Sequence, residues 1–564
     1  MSDILDRDGN RIASLGASTL CEAFQSTAAG RPGQVAHRTL DGSLEITYRE
    51  FAERVEAIAT GLHSIGVRAG DTVALMLRNR PEFSIADAAA MHLGATAFSV
   101  YNTLSEEQVA YVFRNAGNRV VVTERMFLPR VLAASPPDIE HVVLVDGEAD
   151  GAIALDDLAR RPSRGFRFDD AWREVQPGDV VTLIYTSGTT GPPKAVQLTH
   201  ENVLFEARTF ASAMPIRGGG RGISYLPSAH VGDRALVHYC GSMCYGTTIT
   251  SLPDYRQIGV ALPSVRPTTF GGVPRVWEKI KAAIEAAGIG SPAQLPEPVK
   301  AAVRARMGLD QADWCISSAA PASPEVLRFF SDLGLTLNEG WGLSEASCFA
   351  TMNPPGDIRL GTVGRALPGV ELRLLDDGEL LVRAPLVMKG YRNDPERTAE
   401  AIDTDGWLHT GDVARIDGDG YVTIVDRKKE IIINSAGKNM SPANIEQRLR
   451  ASTPLVAYAV CVGDRRPYNV ALLALDQDMS ARWAADRGLT ARLDELCRHD
   501  ALRAELEAAV ESANAGLSRV EQIKRFAVIG GDWQPGGDEL TPTSKLKRRS
   551  IHEKYSAAIE DLYR

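Results

Sequence analysis

Val180-Val181-Thr182-Leu183-Ile184-Tyr185-Thr186-Ser187-Gly188-Thr189-Thr190-Gly191-Pro192-Pro193-Lys194-Ala195-Val196-Gln197-Leu198 is the run on which the fold reading turns. Val180 to Tyr185 has the short apolar pattern of a buried strand, and Ala195 to Leu198 reads as a second one. Between them, Thr186 to Lys194 places four hydroxyls, two glycines and a lysine in nine residues, on a loop between strands. Glycine lets a backbone approach its ligand, while hydroxyls, amides and an ammonium supply donors, so the composition suits a polyphosphate. The spacing is not that of the Gly-x-x-x-x-Gly-Lys-Ser/Thr loop, which opens a helix, and no Gly-x-Gly-x-x-Gly convincingly follows a strand. Taken alone, the stretch reads equally well as a Gly/Pro/Thr-rich hairpin turn.

The surroundings extend the pattern. Upstream, an amphipathic helical stretch at Tyr48 to Ile65 and apolar strands at Thr72 to Met76 and Val120 to Thr123 give the cadence of an α/β sheet domain. Downstream, Asn202 to Ala213 and Val273 to Ile284 read as helices and Gly222 to Tyr225 as a strand. From Leu372 to Val425 the texture changes to short strands separated by turn clusters, a small β subdomain. Asp417-Gly418-Asp419-Gly420 in it reads as a hairpin turn, because Tyr421 stands where a calcium loop needs a ligand. A shorter α/β unit follows, with strands at Glu430 to Ile433, Ala457 to Val462 and Val470 to Leu475 and helices around Asn444 to Arg450 and Ala501 to Leu517. The expected organisation is a large N-terminal domain over 1–425, a junction at 426–429 and a smaller, mobile C-terminal α/β domain over 430–564. Gly218-Gly219-Gly220 reads as a flexible surface loop.

Bulk properties exclude several classes. With 564 residues the chain exceeds one compact core, and 44% hydrophobic with 24% charged residues is ordinary for a globular protein. A formal charge of -10 argues against general nucleic-acid binding. Seven scattered cysteines suit a reducing compartment, and Cys240 and Cys244 lack a second ligand pair for zinc. No uncharged run approaches the ~18 residues of a spanning helix, and the first residues lack a signal pattern. The expected location is cytoplasmic, with peripheral membrane contact left open, as is the oligomeric state.

Further motifs follow in order: Tyr225-Leu226-Pro227-Ser228-Ala229-His230, Glu339-Gly340-Trp341-Gly342-Leu343-Ser344-Glu345, Thr410-Gly411-Asp412, Asp426-Arg427-Lys428-Lys429 and Thr541-Pro542-Thr543-Ser544-Lys545-Leu546-Lys547-Arg548. Together with the Thr/Ser/Gly loop they resemble the adenylate-forming superfamily, closest to its long-chain acyl-CoA synthetases, over about Leu20 to Tyr563. The resemblance implies a two-step reaction using ATP, Mg2+ and CoA. A fatty acid carboxylate attacks the α-phosphorus to give acyl-AMP and pyrophosphate, and the CoA thiol then displaces AMP.

The same resemblance implies the site. Thr186, Ser187, Gly188, Thr189, Thr190, Gly191 and Lys194 would cradle the phosphates, with Thr186 and Glu345 holding magnesium. Ser318, Ala319 and Ala320 and the run Glu339, Gly340, Trp341, Gly342, Leu343 and Ser344 would form the adenine pocket, with Trp341 where relatives carry tyrosine. Asp412 would take the ribose, helped by Arg427. Lys545 would bridge carboxylate and α-phosphate, His230 would sit at the acyl-carboxylate end, and Ala235 to Val276 would line an acyl tunnel. Lys429 matches the hinge and Gly437 the wall of the CoA channel, while Lys547 to Arg549 could meet CoA phosphates. Two alternatives stay open: a fatty acyl-AMP ligase donating to a carrier protein, and a catalytically silent acyl-nucleotide sensor. Ala195 replaces the usual glycine after the loop lysine, and Ser228 an usual leucine, without removing a reacting group.

Overall fold

The computed structural model describes residues 4–134, 138–186, 192–435, 438–489, 492–541 and 544–564. Val180–Thr186 and Lys194–Thr199 form an antiparallel pair, with Thr186 opposite Lys194 at the mouth of the loop. This pair belongs to an eight-stranded sheet in which Val180–Thr186 runs parallel to Thr96–Ser99, itself parallel to Thr72–Met76. These strands are buried nearly throughout, as expected of parallel strands covered on both faces. Tyr48–Ser64 is one covering helix, started by a Thr47/Glu50 capping box.

The helix that leaves the pair, His200–Ala213, is also started by a capping box, here Thr199 with Asn202. Asn202 is buried and its amide donates to the carbonyls of Pro385 (2.7 Å) and Val387 (3.0 Å). The cap thereby fastens this helix to the stretch leading into Gly390–Tyr391, whose two residues pair with Val196 and Gln197.

A second sheet runs Thr269–Gly272, Trp314–Ser317 and Leu337–Trp341 in parallel, then turns antiparallel through Thr351–Met352 and Arg365–Ala366. Three of its strands end on one edge, which brings Ser318–Ala320 beside Gly340–Gly342, the usual ligand-bearing edge of a parallel sheet. The β subdomain is a four-stranded antiparallel sheet of Glu371–Leu374, Glu379–Arg383, Leu408–Ile416 and Val422–Arg427, and Asp417–Gly420 forms its expected hairpin turn.

Downstream, Val456–Val462, Asn469–Leu475 and Ile523–Ile529 form a three-stranded sheet covered by Pro442–Ala451 and Asp500–Ala515. The hydrophobic clusters from Ile432 onward share no member with those built from residues up to Val422. The chain therefore has a large N-terminal and a smaller C-terminal lobe.

Two expectations are corrected. Gly218–Gly220 is a packed turn rather than a loose loop. Gly219 N–H donates to the Tyr245 carbonyl (3.0 Å), and a Cβ on Gly220 would lie 2.4 Å from Thr268 Oγ1. The strand expected at Glu430 to Ile433 shrinks to Ile432–Ile433, paired with Asn439–Met440, because the junction residues before it turn instead of extending. One element escapes periodicity: Gly232–Cys244 is a thirteen-residue π-helix, an arrangement that occurs chiefly at functional sites. It is stapled inward by Arg234, which donates to Ser99 Oγ (2.6 Å) and the Ala97 carbonyl (2.9 Å) and pairs with Asp87. Asp87 Oδ2 also meets His238 Nε2 at 2.9 Å.

Candidate functional site

Asp412 lies on Leu408–Ile416, opposite Arg427 in the hairpin register, and is almost fully buried. Its carboxylate receives the Trp341 indole N–H at 2.8 Å and meets Arg427 Nε at 3.2 Å. Burial raises its pKa above the ordinary value, while Arg427, Trp341 and Lys545 pull it back. Trp341 and Asp412 are thus one hydrogen-bonded unit. The indole is buried, so its N–H needs such an acceptor.

Lys545 comes from the C-terminal lobe into the same space. Its backbone N–H donates to Thr541 Oγ1 (3.0 Å), and the side chain keeps contact with solvent inside the cleft. Desolvation and then Arg427 hold its ammonium below the ordinary value, while Asp412, Glu345 and Glu430 oppose them. His230 completes the group. Desolvation, reinforced by Lys545, lowers it to about 4, so it is neutral at physiological pH, and its Nδ1 accepts the Gly232 N–H at 3.1 Å where the π-helix starts.

Glu345 sits on a short 3₁₀ turn, Ser344–Ala346, after the strand that carries Trp341. Tyr391 donates its hydroxyl to Glu345 Oε1 at 2.8 Å, and Lys194 Nζ stands 4.6 Å above the Tyr391 ring. A lysine from the loop strand, a tyrosine and the carboxylate therefore form one contiguous row, next to Thr186 across the hairpin. Ser318 donates to the Gly340 carbonyl (3.0 Å), and Ala319 holds φ +73, a left-handed conformation that a non-glycine residue adopts at a cost. Gly342 has no room for a side chain: a Cβ there would lie 1.8 Å from the Cys348 carbonyl oxygen. Glu339 is buried within its strand, receives the Ala322 N–H at 3.4 Å and is raised by burial to about 7. Leu343 and Ser344 are half-buried at the start of the turn, and Lys429 is exposed at the junction.

Thr186, Lys194, His230, Ser318, Trp341, Glu345, Asp412, Arg427 and Lys545 thus converge on one cleft. Ser187, Gly188, Thr189, Thr190, Gly191 and Gly437 lie outside the described residues. The basic run after Lys545 already has protein partners in this arrangement. Lys547 Nζ donates to the Gly537 carbonyl (2.8 Å), Arg548 pairs with Glu430 and Glu446, and Arg549 pairs with Glu553. Two residues escaped the sequence reading. Tyr391 follows a glycine at φ +146 in Lys389-Gly390-Tyr391, a local signal of a special backbone. Glu206 carried no signal beyond being an acid on an apolar helix face.

The lobes also meet away from the cleft, along the helix Pro274–Ala286. Arg275 pairs with Asp476, Lys279 with Asp478 (3.4 Å) and Glu278 with Arg450 (3.6 Å), and Gln447 donates to the Ala322 carbonyl (2.7 Å).

Comparison with known proteins agrees with this arrangement. Residues 24–392 match the model of the AMP-binding enzyme family and residues 429–564 that of the AMP-binding enzyme C-terminal domain. The chain is 49% identical over 452 residues to fadD11 of Mycobacterium tuberculosis, which carries the name of a fatty-acid–CoA ligase, covering 74% of this chain and 79% of that protein. It is 35% identical over 574 residues to the long-chain-fatty-acid–CoA ligase FadD15 of the same species, covering 94% of each. Among solved structures, the adenylation domain of a carboxylate reductase from Mycobacterium chelonae superposes with a TM-score of 0.81 at 23% identity, covering 99% of this chain and 94% of that one.

Proposed function

The chain belongs to the family of AMP-binding enzymes, matched through both of its lobes, and from that membership we propose that it activates a fatty acid with ATP and transfers it to CoA. The observation that carries the reading is the arrival of Lys545 from the smaller lobe among Asp412, Arg427, Glu345 and His230. The names of the relatives favour a long-chain acid and CoA as the partners.

In the first step a carboxylate oxygen attacks the α-phosphorus of ATP and pyrophosphate leaves. Phosphoryl chemistry of this kind depends on positioning and charge neutralisation more than on proton transfer. The Lys545 ammonium binds the acyl carboxylate and an α-phosphate oxygen, holding the reacting atoms together. Neutral His230 adds a polar contact at the acyl end without a second cation. Asp412 accepts from the ribose hydroxyls, oriented by Trp341 and Arg427, and Trp341 offers its face to the adenine beside Ser318–Ala320.

The residues present fit a magnesium ion. Tyr391 engages only Oε1 of Glu345, which orients the carboxylate and leaves Oε2 for a cation, and Thr186 adds a hard hydroxyl oxygen. Among the described residues no group of three or more His, Cys, Asp and Glu could hold a metal. The remaining ligands would be phosphate oxygens and water, as magnesium prefers. When bound, the ion neutralises charge on the departing pyrophosphate.

In the second step the thiol sulfur attacks the acyl carbon and AMP leaves. Lys545 contacts the adenylate at that point, so the smaller lobe must turn about the junction near Lys429 to open the thiol path. The ion pairs along Pro274–Ala286 hold the first arrangement. Arg275→Ala is expected to slow adenylation and speed thioester formation from supplied acyl-adenylate, shifting their ratio by up to about fivefold, since a partly buried pair contributes on the order of 1 kcal/mol. Equal changes in both half-reactions would remove the latch from the account.

The reading is tested by pyrophosphate and AMP release from ATP and magnesium with acids from acetate to palmitate, with and without CoA. Acyl-CoA formation rising with chain length is the expected result. Pyrophosphate without thioester would transfer the acyl group to a carrier protein instead, and no pyrophosphate with any acid would leave a silent sensor. Among the described residues no helix is long and apolar enough to cross a membrane.

A further inference from the structure

Glu206 stands on the inner face of His200–Ala213, is completely buried and belongs to none of the machinery above. Its Oε1 accepts the Phe349 backbone N–H at 3.1 Å, and its Oε2 has no partner among the described residues. Cys240 and Tyr245 of the π-helix end and Cys348 stand within electrostatic reach, and among the described residues no cation does. Tyr245 spends its hydroxyl on the Ala207 carbonyl (2.7 Å). A carboxyl in such a place is held protonated: burial raises it to about 8, with only the Phe349 amide opposing. A buried polar atom without a partner is uncommon and calls for an explanation.

Its position supplies one. Three elements meet at Glu206: its own helix, the π-helix that starts beside His230, and the Gly342–Ala350 return that carries Glu345. Cys348 and Phe349 back directly onto the adenylate strand, since side chains at Gly342 and Gly340 would strike the Cys348 carbonyl and the Phe349 ring. Cys240 lies ten residues beyond His230, which is at most about 15 Å along a helix. An acyl chain starting at His230 and following the π-helix would reach this carboxyl after roughly twelve carbon–carbon bonds, since bonds of about 1.5 Å in a tetrahedral zigzag advance the chain by only about 1.25 Å each.

Resting on the ligase reading above, we propose that Glu206 is a specificity-determining residue whose free oxygen selects acyl chains bearing a hydroxyl or oxo group in their distal half. Against a plain methylene the free carboxyl oxygen stays unpaired, whereas a hydroxyl or ketone oxygen satisfies it. A site built to hydrogen-bond a substrate group discriminates against the analogue that lacks it far better than an apolar pocket discriminates by size.

The test compares kcat/KM for palmitate with that for palmitates bearing one hydroxyl at successive distal positions, in the wild-type enzyme, Glu206→Gln and Glu206→Leu. The expected result is one position at which the hydroxylated acid is preferred by about tenfold or more. That preference is retained in part by Glu206→Gln, whose amide still hydrogen-bonds, and is abolished or reversed by Glu206→Leu through KM more than kcat. A ratio within one variant does not depend on how much of it folds. Palmitate favoured at every position, or the same ratio in Glu206→Leu as in the wild type, overturns the proposal while leaving the ligase reading intact. Absence of pyrophosphate with every acid overturns that reading, and the proposal with it.

Discussion

Lys545→Ala is expected to lose adenylation by about 10²- to 10³-fold while converting supplied acyl-adenylate and CoA to thioester at a rate close to wild type. The magnitude is that of removing one preorganised donor from developing charge. The asymmetry follows from geometry. The ammonium is drawn to Asp412 and Glu345 and repelled by Arg427, a balance that exists only while the smaller lobe keeps it in the cleft. Removing the side chain eliminates the contact between carboxylate and α-phosphate and leaves untouched whatever the rotated lobe presents in the second step. Measured separately, pyrophosphate release should collapse and thioester formation should not. Equal losses in both would mean that Lys545 supports the lobe rather than the reaction.

Glu345→Gln should cost adenylation a similar ~10²-fold or more, for a different reason. Glutamine keeps the shape of the side chain and can accept the Tyr391 hydroxyl with its amide oxygen, so the row Lys194–Tyr391–345 survives. What disappears is the negative charge offered to the cation. The deficit should therefore appear as a raised magnesium requirement and shrink as magnesium is increased. Titration of pyrophosphate release against magnesium separates this from a packing defect, which no concentration of the ion would repair.

Local chemistry made part of this molecule legible. The apolar runs flanking the loop, the Asp417–Gly420 turn and the helix from Asn202 to Ala213 are set by residues within a few positions of one another, so pattern and propensity suffice. The motifs also located the residues that share the cleft. Contacts distant in sequence were not legible. The Trp341–Asp412 bond spans 71 positions and the Tyr391–Glu345 bond 46. The π-helix is held inward by Arg234 and His238, both bound to Asp87 about 150 positions earlier, contacts that no periodicity within Gly232–Cys244 reveals. Glu206 shows the limit most plainly. An acid on a helix is ordinarily solvated, and only the assembled elements show that this one is not.

The junction contains one more connection. Asp426 precedes Arg427, and its Oδ2 accepts both the Ser441 hydroxyl (2.6 Å) and the Ala443 N–H (3.2 Å), while Ser441 in turn caps Pro442–Ala451 through Asn444. The anchor of this helix start therefore belongs to the last strand of the large lobe. Rotation about Lys429 would pull the anchor away and hand the Ala443 amide to water, while Asn444 keeps its bond to Ser441. Each catalytic cycle would then open and reseal one bond at the helix start, so the amide proton of Ala443 would keep time with the enzyme, exchanging with solvent during the half of the cycle in which CoA is acylated.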